Sequence, residues 1–413
     1  MPTYFLSTSG NDANDGLSPA SPWRSLDKLS TFPAQPGDVF LLQGRTLFPG
    51  RIDWAWKGIG NPDLPITLGS YGHGRATIQS PLGLPALHYA GVGGLHVRDL
   101  ILQGSGGQTD SPKIGGAHIT AAGENEPRCR NVQLKRVDAS GYGMGGIMLE
   151  RAEDLAVESC TLHHNTIGLF FSEVARAMVR HTSAWENDWL GPKNDEIQGG
   201  NGFAICWSQD VFVDYCDTHR NGTKTVNAGG HAGIILWDCD RSRVWHSQAC
   251  GNTDPTGLDA QGIILYGCHD SEVAHCLTSG NGNAGLCFFH DEWCRHVERC
   301  TIRDCQAAGN AVDLVVIGTV LDSYFLNNRV LSTGVKAVDI AIHKTTDIRR
   351  VSFYGNAIDA VGESLLVEAV PGLTGVEGLP SNGLVAEVAE PFQVRGRGFA
   401  KLTDALSAEP IGL

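Results

Sequence analysis

Four carboxylates in the middle of the chain are the side chains best suited to chemistry: Asp195 and Glu196 side by side, Asp238 directly after a tryptophan, and Asp259 further on. Hydrolysis of a glycosidic bond needs two such groups flanking the scissile oxygen, one protonated as acid and one ionised as base or nucleophile. Basic residues are interleaved with them. Lys193, His219, Arg220, Lys224 and His231 supply the types needed for β-elimination on a uronic acid, a base for the C5 proton and a cation for the carboxylate. The plainer reading is that acidic residues at corners form turns and lone His or Lys residues in loops are solvated. Cys287, His290, Cys294 and His296 have metal-ligand types, but the cysteines follow a structural period, so no metal is expected there.

A repeating unit must position these groups. From Gly146 onward the sequence returns to a Gly-led strand at Gly146, Gly168, Gly202, Gly233, Gly262 and Gly285, with less regular copies at Asp313 and Asp339. The intervals run from 22 to 34 residues, as expected for a bare coil of 22 with insertions. After each comes a Val-led strand whose fourth residue is Cys, Thr or Ser: Cys160, Thr182, Cys216, Ser247, Cys276 and Cys300. Small side chains at one coil position stack in a row, about 4.8 Å per rung. Twelve cysteines at such positions predict reduced structural thiols rather than disulfides. The fold expected is all-β, a right-handed parallel β-helix of roughly ten coils with an N-terminal cap.

In the Gly-led strands the third and fifth residues should point outward. The fifth place and its neighbour give Trp207, Trp237, Tyr266 and Phe289 on consecutive rungs, a candidate platform for sugar rings. The outward row also contains Met148, Phe170, Ile235 and Ile264, which insertion loops or a second subunit would have to cover. Insertions at 186–201, 219–232 and 252–261 are expected to wall one side of this row, with Lys193, Arg220 and Lys224 on substrate and Asp195, Glu196, Asp238, Asp259 and His231 as catalytic candidates. Equivalent positions one rung apart match the carboxylate spacing of retaining enzymes. Two rungs, about 9.6 Å, reach the upper edge of the inverting range, as for Glu173 and Asp238.

The chain has 413 residues, 42% hydrophobic and 18% charged, with 52 glycines and a net charge of −14. That balance argues against nucleic acid and against an anionic membrane as partner. The opening residues lack a basic stretch followed by an apolar one, and no run of 18 apolar residues occurs, so a cytoplasmic location is expected. A phage-borne protein, or one exported without a cleavable signal, is the alternative.

Three segments near the start, Tyr4 to Asp12 with Asp15 to Trp23, Pro36 to Leu42, and Pro65 to Gly72, resemble the opening of right-handed parallel β-helix proteins of the pectate-lyase-like superfamily. Pro391 to Leu402 is similar to their closing strand and helix. The resemblance implies one structural domain: a cap and first coils over 1–95, central coils over 96–370, and a closing strand and cap over 371–413. It also implies a carbohydrate substrate, with glycoside hydrolysis favoured, polysaccharide lyase chemistry as the alternative, and a non-catalytic binding or phage-type structural solenoid as the third reading. A homo-oligomer, such as a trimer, would fit the outward apolar row. The sequence departs from the lyases by lacking a compact Asp-Asp-x-x-Asp cluster, and from the epimerases because Asp254-Pro-Thr256 breaks their Asp-Pro-His motif. No cofactor is therefore expected, with Ca²⁺ relevant only to a lyase.

Overall fold

Apolar residues at every second position, broken by residues that tolerate left-handed backbone, produce short strands joined by tight corners. The computed structural model describes residues 1–55, 60–106, 115–189, 199–225, 231–255, 259–341, 348–362, 365–369, 376–378, 382–386, 392–394 and 397–399. These fall into two compact units, Met1–Gly202 and Phe203–Leu413. Among the described residues no helix is long and apolar enough to cross a membrane.

The first unit starts with the strand Thr3–Leu6 and the helix Leu26–Thr31, whose N-cap Ser25 accepts a hydrogen bond from the Lys28 amide. Leu26 and Leu29 are buried, and Trp23 stacks on Tyr4 with ring centroids 4.8 Å apart. Thereafter each coil contributes one strand to each of three parallel sheets. Gly145–Glu150 pairs with Ile167–Ser172 in the register Ile147↔Leu169, so Gly146 and Gly168 are equivalent, as the repeat requires.

The second unit repeats the pattern. Phe203 faces Ile234, Ile234 faces Ile263, Ile263 faces Leu286 and Leu286 faces Leu314, which aligns the Gly-led strands and places Asp313 in the glycine position. The last copy begins at Ala337 rather than Asp339, because Asp339 faces Val315, the third strand position. A second register also differs from the expected one. Val273 faces Ile302, so the residue that follows Cys276 in its row is Cys305, whose Sγ accepts from the Cys276 amide at 3.4 Å. Val297 and Cys300 lie a few residues earlier; Val297 pairs with Val320 in a small separate sheet. Two Val- or Ile-led phrases ending in cysteine occur in that coil, and spacing alone selects the wrong one.

Inside the coils, polar groups bond along rows. The Asn252 side chain accepts from the Asn221 amide nitrogens and donates to Asn281 Oδ1; Asn281 donates to Asn310 Oδ1, and Asn310 to Asp313 Oδ1 at 2.7 Å. All twelve cysteines are free thiols, ten of them buried. The outward residues Met148, Ile235 and Ile264 are buried within this one chain.

Candidate functional site

The fifth position of the Gly-led strands forms a row in which Cys206 faces Trp237, Trp237 faces Tyr266 and Tyr266 faces Phe289. Trp207 follows Cys206 at a left-handed corner, φ 49°, and turns its ring onto that of Trp237, with centroids 5.5 Å apart. Trp237 stacks on Tyr266 at 5.1 Å, and Phe289 meets Tyr266 edge-on at 5.1 Å. The rung spacing of parallel strands sets these distances. Exposure varies within the row: Trp207 is 52% exposed and Tyr266 6%, with Trp237 and Phe289 half-buried. The Trp237 Nε1 hydrogen is buried with no hydrogen-bond partner among the described residues.

Carboxylates border the row. Tyr266 donates to Asp291 Oδ1 at 2.6 Å, and the Trp293 amide donates to the same oxygen at 2.8 Å. Burial, and then this carboxylate, push the Tyr266 phenol well above its ordinary range, so it serves as a hydrogen-bond donor, not as a base. Asp238, at the left-handed corner after Trp237, accepts from the backbone amide of Arg295 at 2.9 Å. The Arg295 guanidinium bridges Asp238, at 3.4 Å, and Asp240, at 3.0 Å. Glycine is required at 267 because a Cβ there would lie 2.5 Å from Asp238 Oδ1, and its φ is +65°. Burial raises the Cys294 thiol to about 12, which removes it as a nucleophile.

A right-handed beta helix region model matches residues 116–292. Among curated proteins, 84 residues are 37% identical to a lacto-N-biosidase of Bifidobacterium longum subsp. longum, covering 19% of this chain and 5% of that protein. Among solved structures, the chain is similar to pectate lyase Pel9A at TM-score 0.53 and 17% identity, over 85% of this chain and 79% of that one. The A-module of the Azotobacter vinelandii mannuronan C-5 epimerase AlgE4 aligns at TM-score 0.50 and 16% identity, over 86% and 90%. The chain folds as a right-handed parallel β-helix.

In this β-helix, Trp207, Trp237, Tyr266, Phe289 and Asp238 come together as the repeat arithmetic expects. The loop residues do not join them. His231 and Asp259 stand just before the Gly-led strands, whereas the aromatic row ends them, about 20 Å away along the strand at about 3.3 Å per residue; Arg220 and Lys224 follow the strand Asp217–His219. His231 is buried, and its carbonyl accepts from the Ala260 and Gln261 amides. Asp259 takes part in the same anchor, accepting from the Gln261 side chain at 3.2 Å. Arg220 and Lys224 are exposed. Lys193, Asp195 and Glu196 lie outside the described residues. Glu173 is exposed in the first unit.

The residues missed by sequence reasoning are Asp240, Asp291 and Arg295. Asp240 follows Trp237 by three residues and Asp291 follows Phe289 by two, so closeness to the row, and not a shared place in the repeat, is the one signal pointing to them. Cys287, His290, Cys294 and His296 do not assemble as one site. Cys287 is buried in its strand between Ile264 and Val315, and His290 Nδ1 accepts from the Thr319 amide at 2.9 Å.

Proposed function

We propose that this β-helix is a carbohydrate-active enzyme that cleaves glycosidic bonds of a poly- or oligosaccharide by hydrolysis, at the aromatic row. The observation that carries the reading is the stack Trp207–Trp237–Tyr266 with Asp238 and Asp291 on its border. Aromatic faces suit the C–H surfaces of sugar rings, and a pair of carboxyl groups suits acid–base cleavage. Asp238, held by the Arg295 guanidinium, is cast as the base; Asp291, hydrogen-bonded by the Tyr266 hydroxyl and the Trp293 backbone amide rather than by a guanidinium, is cast as the acid. Arg295 is shared between two carboxylates, which favours hydrolysis of a neutral sugar over elimination on a uronic acid, where a cation must meet the substrate. The names of the relatives, a lacto-N-biosidase, a pectate lyase and a mannuronan epimerase, all denote carbohydrate chemistry and support the substrate class.

The test is a panel of neutral and uronic glycans incubated with the wild type and with Asp291→Asn. Hydrolysis at this site predicts reducing ends from a neutral glycan, falling about 10²- to 10⁴-fold in the variant. Equal release by both proteins would remove Asp291 from the reaction.

A further inference from the structure

We propose that His269, His296 and Glu298 form a binding site for a divalent first-row metal ion of the zinc type. Each of the three offers a ligand atom, and those atoms lie within 4.8 Å of one another. The placement comes from the coil repeat. Parallel bridges Gln209↔Asp240, Asp240↔His269 and His269↔Glu298 set these residues in one row along successive rungs, and His296, two residues before Glu298, brings its ring beside that of His269, with centroids 4.9 Å apart.

The surroundings have the form that orients metal ligands. His269 Nε2 lies 3.1 Å from the His296 carbonyl oxygen, to which it donates; its Nδ1 therefore carries the lone pair. That Nδ1 is 3.9 Å from Asp240 Oδ1. His296 Nε2 lies 3.2 Å from Glu298 Oε2, a hydrogen bond to the carboxylate that a bound ion would replace with one bond from each atom to the metal, releasing the proton. Around the cluster, Asp238, Asp240, Asp270 and Glu298 outnumber the guanidiniums of Arg295 and Arg299, so a bound cation offsets an excess of negative charge. Two imidazoles with one carboxylate suit zinc or a neighbouring transition metal rather than calcium, which takes oxygen ligands, and three protein ligands leave a fourth position for water.

The inference does not rest on the proposed hydrolase reading, and metal content tests it directly. The full chain is stripped with a chelator, dialysed against Zn²⁺, and its metal counted per chain; Co²⁺ replaces Zn²⁺ for a visible spectrum. One equivalent in the wild type is expected, with a visible Co²⁺ band, both lost in His269→Ala and in Glu298→Gln and both kept in His290→Gln. Circular dichroism confirms that the compared proteins are folded, and His296→Ala replaces any variant that is not. A wild type that retains no metal overturns the proposal. So do folded His269→Ala or Glu298→Gln proteins that retain the full equivalent.

Discussion

Trp207 and Tyr266 belong to one stacked row but sit at opposite ends of its exposure range, so the same truncation asks different questions of each. Trp207→Ala removes an exposed ring. It should leave the melting temperature unchanged and weaken glycan binding by about 1–2 kcal/mol, read by titration calorimetry. Tyr266→Ala empties a buried site and should cost about 3 kcal/mol of stability in urea unfolding. Tyr266→Phe keeps the ring and removes the bond to Asp291, so it should fold normally and lose turnover. Asp238→Asn should slow glycan cleavage about 10²- to 10⁴-fold, whereas Asp259→Asn, in the loop anchor, should leave turnover within a few-fold. The row was legible in the sequence because each member holds one place in the repeat. Asp291 and Arg295 were not, because they follow the regular phrase in a segment with no counterpart in neighbouring coils.

At the scale of elements, the stacked asparagines tie successive corners together. In Asn252→Ala, the Asn221 backbone amide and side-chain amide lose their acceptor, and each buried donor left unsatisfied costs about 1–3 kcal/mol, so the urea midpoint should fall sharply. The row ends on Asp313, whose carboxyl is raised by burial to about 6, against the partial relief of the Asn310 amide. The native state therefore keeps a proton that the unfolded chain releases near pH 4. This contribution to stability is fully present below about pH 4 and is lost as pH rises through about 6, a change on the order of 3 kcal/mol. Denaturant unfolding across that range should show the decline in the wild type and a flatter profile in Asp313→Asn. The asparagine corner recurs in the sequence as Asn-Gly pairs, at Asn221-Gly222 and Asn281-Gly282. The aspartate that closes it lies three residues beyond Asn310, at the glycine position of the next strand, a place that the row's own spacing does not indicate.

Over the whole molecule, repetition made the fold readable, and irregularity hid the rest. Alternation, glycine-led strands and small residues at one register specify parallel coils without reference to any distant contact. The cysteines follow from the same logic. Titration of the denatured protein without reductant should find all twelve thiols, while the native protein should react slowly, with Cys250 and Cys294 the partly exposed exceptions. Of the described loop residues, His231 and Asp259 stand at the opposite end of the strand from the aromatic row, because a repeat fixes which residues share a rung but not which end of the strand a neighbouring insertion serves. Of the outward apolar row, Met148, Ile235 and Ile264 are buried within one chain, whereas Phe170 is partly exposed. The proposed chemistry of the aromatic row and its carboxylates is hydrolysis of glycosidic bonds. Its most direct test is to incubate the protein with a panel of glycans, following new reducing ends and ultraviolet absorbance in the same samples. Hydrolysis gives reducing ends without an absorbing product. Reducing ends that rise together with absorbance from an unsaturated sugar would show elimination and contradict it.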